Sequence, residues 1–159
     1  MTTTTHTSAQ PNLKEHNMHT NTTILAAHGV DTGSIEHLDL EVPIVTGNQR
    51  QGDVYVLATT RDMTQGAKPV PVAGVVVVRA ETASSNTHTL YTLSGEALWK
   101  ANDRATRDDE LVQGWLTVPA GSEATLIHTE EHNVLGIGAG TYEIRRQREY
   151  AGEWRQVAD

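Results

Sequence analysis

DVYVLATT, residues 53–60, is the stretch on which the fold class turns. Valine, tyrosine and threonine dominate it, and β-branched and aromatic side chains suit a pleated, half-buried surface better than a helix. The signature recurs outward along the chain in Thr87–Leu93 (THTLYTL), Leu111–Val118 (LVQGWLTV), Ala124–His128 and Thr141–Tyr150 (TYEIRRQREY). Val75–Ala80 opens with four valines, is apolar on both faces and is expected as a central strand or between two packed layers. Gly95–Lys100 adds a short strand, and the charged run Ala101–Glu110 a loop or helical turn. Turn residues at 66–71, 84–86 and 119–121 separate these runs, and Gly136-x-Gly138-x-Gly140 is expected to turn because glycine weakens regular elements. No long amphipathic helix is evident. The pattern predicts an all-β domain, a compact β-barrel or sandwich of about six to eight short strands.

Composition divides the 159 residues in two. Residues 1–48 are polar, rich in Thr, Asn, His and Ser, and are expected to form a largely disordered N-terminal arm ahead of a β-rich domain over residues 49–159. Within that arm, residues 23–47 hold two apolar pieces, Ile24–Ala27 and Val42–Val45, read as an extended segment or short strand packing on the domain. Net charge is −8. Lys14 and Arg50 against Glu15, Asp31, Glu36, Asp39 and Glu41 leave −3 in the first 50 residues, so the remainder carries −5. Such a balance argues against general nucleic-acid binding while leaving room for local basic contacts. Cysteine is absent, which removes disulfides, thiolate ligands and a thiol nucleophile. Neither a leader-like start nor an apolar run of membrane-spanning length is present, so the expected location is cytoplasmic, away from the membrane.

Histidine distribution marks the candidate site. Five of the eight histidines fall before residue 40, and only His88, His128 and His132 lie in the β-rich part. Asn86 and His88 share one strand face because side chains alternate with period two. In His128-Thr-Glu-Glu-His132 the second histidine lies past a strand end, where a turn can fold it back; the flanking residues read as strands rather than a helix. Three neutral imidazoles with Glu130 or Glu131 nearby suit a divalent transition metal such as Zn²⁺, Fe²⁺, Mn²⁺ or Ni²⁺. Three protein ligands leave a position open for water or substrate, and Glu130 or Glu131 would then serve as acid or base. The bland alternative is an exposed His88 and a loop in which His128 and His132 are hydrogen-bonded.

A second feature is the face shared by Tyr142, Ile144, Arg146, Arg148 and Tyr150, opposite Glu143, Arg145, Gln147 and Glu149. Arginines beside tyrosines can hold a phosphate or stack on a base. In an acidic domain, pairing with carboxylates is the simpler role. No phosphate loop, dinucleotide fingerprint or nucleophile elbow is present.

Gln51-Gly-Asp-Val54, His88, His128 with Glu131 and His132, Gly140-x-Tyr142, Gln147-Arg-Glu-Tyr150 and Val157-Ala-Asp159 occur in an order that resembles a family of small, uncharacterised bacterial and phage proteins. The resemblance spans Gln51 to Asp159. It implies an inherited site and no particular activity. That family carries a Gly-His-x-His motif, and this chain has Ser85 and Asn86 in place of its Gly and first His. Asn is a poor ligand for Zn²⁺ or Fe²⁺, so a four-ligand set would fall to three or be lost.

Two readings therefore compete. One is a small β-barrel domain, cupin-like in style, with a His-based metal site. The other is a non-enzymatic interaction or structural accessory protein, phage-associated, whose arm orders on a protein partner or a second copy and whose histidines are structural.

Overall fold

The computed structural model describes residues 19–31, 40–79, 87–104, 110–131, 133–150 and 154–156. In chain order the elements are α1 (Asn21–Ala27), β1 (Ile44–Val45), β2 (Gln49–Gln51), β3 (Val54–Ala58), β4 (Lys68–Pro69) and β5 (Val75–Val78). They continue as β6 (His88–Ser94), β7 (Leu98–Ala101), β8 (Val112–Val118), β9 (Glu123–His128) and β10 (Asn133–Ile137). Last come β11 (Gly140–Arg146), β12 (Arg148–Tyr150) and β13 (Trp154–Gln156). A five-stranded sheet runs β1-β10-β9-β6-β5, and a six-stranded sheet runs β2-β3-β11-β8-β7-β4. Neither closes on itself, so the architecture is a sandwich rather than a barrel. The all-β expectation holds, with more and shorter strands than foreseen.

Alternation builds the core. On β8, Val112, Gly114, Leu116 and Val118 are buried while Gln113, Trp115 and Thr117 are half-buried. β11 repeats this with Tyr142, Ile144 and Arg146 turned inward. From the other sheet come Leu90 of β6 and Leu126 of β9, directly paired in register, with Ala124, Ile137, Val77 and Val78. Each fully buried Leu or Ile in such a cluster contributes about 1.5–3 kcal/mol of hydrophobic stabilisation. Trp99 packs its indole against this core and over Gly114, where an added Cβ would lie 2.5 Å from the ring.

The opposite face of the five-stranded sheet is also covered. Tyr91 and Ile127 point away from the inter-sheet core and meet Ile24 and Leu25 of α1, together with Val42 and Val134. Residues 21–27 thus form a helix where an extended segment was expected. Thr20 explains why: its hydroxyl accepts from Thr23 N–H while the Thr23 hydroxyl receives the Thr20 N–H, a reciprocal cap that satisfies orphan helix donors. Ile24 and Leu25 then share the buried side. β1 adds to the sheet by parallel pairing of Ile44 with Gly136 and Val45 with Ile137. Residues assigned to the arm from sequence therefore contribute to the packed unit; the expectation for residues 1–18 lies outside the described residues.

Three strand expectations need correction. Val75–Val78 is the edge of its sheet, not a central strand. A bulge between Val76 and Val78 inserts one residue, so Val77 and Val78 are both buried while Val76 faces solvent; that irregularity makes an edge run apolar at successive positions. Thr141–Tyr150 is two strands, interrupted at Gln147, whose N–H still bonds Asp53 O at 2.7 Å in continuation of the β11–β3 register. Arg148–Tyr150 then turns to pair with β13. Gly136 does not turn but lies within β10. A Cβ there would sit 2.5 Å from Pro43 O, so glycine is what lets the segment before β1 lie against that strand.

α1 is pinned by histidines. The His28 ring stacks on Tyr91 at 4.3 Å between centroids and 17° between planes, with Nε2 3.3 Å from Thr125 Oγ1. His19 Nε2 lies 3.2 Å from Glu123 Oε2. Burial holds the His28 pKa below its ordinary 6.5, so the docked ring stays neutral. The undocked segment takes up a proton near 6.5 that the docked one resists, so this contribution is complete above 6.5 and lost as pH falls from there toward the lowered value. Thermal unfolding followed from about pH 7.5 to 5.5 should show that loss, and His28→Gln should flatten it, since a single titrating ring is being removed.

Candidate functional site

Histidines 88 and 128 are core residues. His88 stands two residues before Leu90 on β6, and His128 two after Leu126 on β9, so period-two alternation puts both on the inner face. They are register partners, with exposures of 0% and 2%. Their ring centroids are 4.6 Å apart and the planes are tilted by 52°. The row across the sheet is Val78, His88, His128, Asn133. It closes one end of the inter-sheet core. The bland picture of an exposed His88 is overturned.

The six-stranded sheet meets this end with polar side chains of its own. Gln51 reaches across, its Nε2 donating to Asn133 O at 2.9 Å and more weakly to Leu126 O at 3.4 Å. Gln51 and Arg146 both pair with Val54 in register, and Asp53 precedes it. Asp53 Oδ2 lies 3.6 Å from Arg146 Nε, with both residues buried. Five buried polar residues, Gln51, Asp53, His88, His128 and Arg146, thus close the sandwich at the β6–β9 end.

Both candidate acid–base carboxylates are engaged in positioning. Glu131, three residues beyond the strand end, places its Oε2 3.3 Å from His128 Nδ1. A carboxylate there favours an Nδ1–H tautomer, leaving Nε2 as the lone-pair nitrogen. Glu130 Oε2 accepts the Thr87 N–H at 2.9 Å, while Thr129 N–H bonds Thr87 O at 3.0 Å, tying the β9–β10 turn to the start of β6. Asn86 and His132 lie outside the described residues. Among the described residues, no group of three His, Asp or Glu is arranged to hold a metal ion.

The arginine–tyrosine face is distributed otherwise than a ligand-reading strip requires. Tyr142 is buried in the inter-sheet core, and its hydroxyl donates to Gly138 O at 2.9 Å, with Ala139 O at 3.2 Å. Burial raises its pKa above the ordinary 10.0, so the phenol stays neutral and donates. Arg145 Nε meets Glu143 Oε1 at 3.3 Å, so Arg145 and Arg146 each have a carboxylate partner. Gln147 Oε1 accepts from Arg50 at 2.9 Å, and Arg50 also lies 5.2 Å from the Tyr55 ring centre. Arg148 and Tyr150 sit on β12, paired with Gln156 and Trp154. Sequence reasoning did not single out Gln51 and Asp53 as site residues, although both stand in the quoted Gln-Gly-Asp-Val motif. Arg146 was legible too, since it shares its strand face with Tyr142 and Ile144.

Removing one member of a buried ion pair strands the other charge at a cost of about 3–5 kcal/mol. Asp53→Leu is expected to destabilise the fold on that scale in urea unfolding. Asp53→Leu combined with Arg146→Met should recover most of the loss, as an uncharged pair leaves nothing stranded.

No described helix is long and apolar enough to cross a membrane. No curated protein and no solved structure matches the chain. Gln51, Asp53, His88, His128 and Arg146 nevertheless fall together inside one family match, which ends at position 147, before Arg148–Tyr150 and Val157–Asp159. That family, described as a domain of unknown function (DUF8820), matches residues 50–147, and the chain belongs to it.

Proposed function

We propose that this β domain is a binding module whose polar end takes up a divalent transition metal, Zn²⁺, Fe²⁺ or Mn²⁺, through His88 and His128, with His132 supplying a third nitrogen. One observation carries the reading: two buried imidazoles stand opposite one another at 4.6 Å, with a carboxylate on the Nδ1 side of one. Metal-bound histidines characteristically give their second nitrogen to such a carboxylate, which fixes the tautomer and orients the ring. Borderline-soft ions accept imidazole nitrogen at ~2 Å. The donor set fits the group in kind, and the metal would supply Lewis acidity or a fixed positive charge there.

Binding is favoured over turnover by the engagement of Glu130 and Glu131. One holds a backbone N–H and the other a histidine ring, so neither is an idle acid or base. The competing reading, an interaction or structural protein with purely structural histidines, draws on the position of both rings in line with Leu90 and Leu126.

Metal analysis separates the two. The full-length chain, dialysed in turn against Zn²⁺, Fe²⁺ and Mn²⁺, should retain about one ion per chain, held by three nitrogens with one position open. His128→Ala and His132→Ala should each lower retention at least tenfold, with circular dichroism confirming that the variants remain folded. Retention far below one ion, or retention unchanged in folded His132→Ala and His128→Ala, leaves the structural reading standing.

A further inference from the structure

Residues 69–78, Pro-Val-Pro-Val-Ala-Gly-Val-Val-Val-Val, carry no charged or hydrogen-bonding side chain, in a chain of net charge −8. Side chains of that kind are mostly found inside a fold. Here the run starts as the crossing from β4 of one sheet to β5 of the other, and Pro69, Pro71, Val72 and Ala73 are all exposed. Val72 is 98% exposed, the most of any large apolar side chain among the described residues, and Val76 on β5 adds 39%. This ridge lies at the opposite end of β5 from the polar end of the core.

The ridge is held stiffly. Val70 is buried, and its N–H bonds Ala97 O at 2.8 Å; the Gly74 N–H bonds Pro71 O at 2.8 Å and closes a turn that carries Val72 outward. Gly74 has φ +78°, and a Cβ there would lie 2.6 Å from Tyr91 Cε1, so the turn is set hard against β6. Pro69 and Pro71 fix two further dihedrals. An apolar knob ordered in advance loses little entropy when it is covered. Beside it lies a groove of about 450 Å³, walled by Ala27 and His28 at the end of α1 and by Leu93, Glu96 and Ala97 of the β6–β7 hairpin, with Val72 itself on the rim. Lys68 precedes the ridge and Glu96 lines the groove; both are exposed, and neither has an ion-pair partner among the described residues.

We propose that ridge and groove form the interface of a homodimer, in which a two-fold axis seats Val72 of each copy in the groove of the other. Knob and hole adjoin on one surface, and that arrangement is self-complementary under two-fold symmetry. Two chains of charge −8 repel, so they approach with least cost where the surface is free of charge. The same exchange brings Lys68 of each copy toward Glu96 of the other, an opposite-charge match at the rim. A second copy fits better than a peptide strand added to β5, because the bulge between Val76 and Val78 interrupts the edge that such a strand would pair with. Side-chain packing needs no continued ladder. Each copy gives one ridge and one groove to a single contact, so assembly closes at two chains. A specific interface takes about 800 Å² from each partner, and Val76 with the exposed side of the β6–β7 hairpin extends the contact toward that size.

Sedimentation of the full-length chain tests the proposal, with a chelator present so that bound metal plays no part and the outcome is separable from that of the histidine site. The chain should form a dimer that dissociates in the micromolar range. Val72→Asp, at a side chain that its own chain leaves uncovered, should weaken association at least tenfold with circular dichroism and thermal unfolding unchanged. A second variant reads proximity directly. The chain has no cysteine, so Val72→Cys gives one thiol per chain. Val72 lines the groove that receives its counterpart, so diamide oxidation should link Val72→Cys chains in pairs at least tenfold faster than Val45→Cys chains, whose thiol lies on the opposite edge of the sheet. The proposal is overturned by a chain that stays monomeric at high micromolar concentration, by association unchanged in Val72→Asp, by assembly beyond two chains, or by equal cross-linking of the two cysteine variants.

Discussion

Ending an inter-sheet core on polar side chains imposes a constraint that the rest of the domain answers to. Every donor and acceptor removed from water there must meet a partner, because an unsatisfied buried polar group costs about 1–3 kcal/mol. Gln51 meets it on its amide nitrogen by bonding two carbonyls of the facing sheet, and Asp53 and Arg146 by pairing, whereas Gln51 Oε1 and the His128 ring nitrogens have no hydrogen-bond partner among the described residues, Glu131 only approaching His128 Nδ1. These interactions tie β2, β3 and β11 of one sheet to β9 and β10 of the other at the end where hydrophobic side chains run out. The registers of both sheets are consequently fixed twice, by the Leu90–Leu126 row and by the histidine row beside it. A one-residue slip on β6 or β9 would move a histidine to the face that α1 covers and leave Tyr91 or Ile127 among the charges.

Which parts of this were legible in the sequence follows from which forces are local. Leu111–Val118 and the first half of Thr141–Tyr150 alternate cleanly because one side of each faces the core, and periodicity reports that directly. The edge position of Val75–Val78 was not legible, since a bulge makes an edge strand look like a central one. Nor was α1: a seven-residue helix rests on the reciprocal Thr20–Thr23 cap and on tertiary burial of Ile24 and Leu25, with little propensity to signal it. The turn of Arg148–Tyr150 away to pair with β13 is likewise a matter of which strand meets which, and no local pattern reveals it.

For the candidate site, scarcity of histidine identified His88 and His128, and strand alternation was enough to pair each with the leucine two positions away. Their direct opposition required the β6–β9 register, a long-range property. Glu130 and Glu131 were found for their chemistry, yet the structure uses their oxygens on Thr87 and His128. Arg146 shows the limit of reading charge as surface: an arginine in phase with Tyr142 and Ile144 is buried because its strand face is, and it is tolerated there because Asp53 arrives from the neighbouring strand.

The account rests on His88 and His128 being opposed, enclosed rings, with the Glu131 carboxylate 3.3 Å from His128 Nδ1 and so favouring the Nδ1–H tautomer. Long-range proton–nitrogen correlation spectra of the ¹⁵N-labelled imidazoles read tautomer and exchange directly. Metal-free protein near neutral pH should show two histidines set apart from the others by ring-to-ring contacts and slow proton exchange, with the His128 pattern of a protonated Nδ1. Averaged, rapidly exchanging signals for both rings would contradict it.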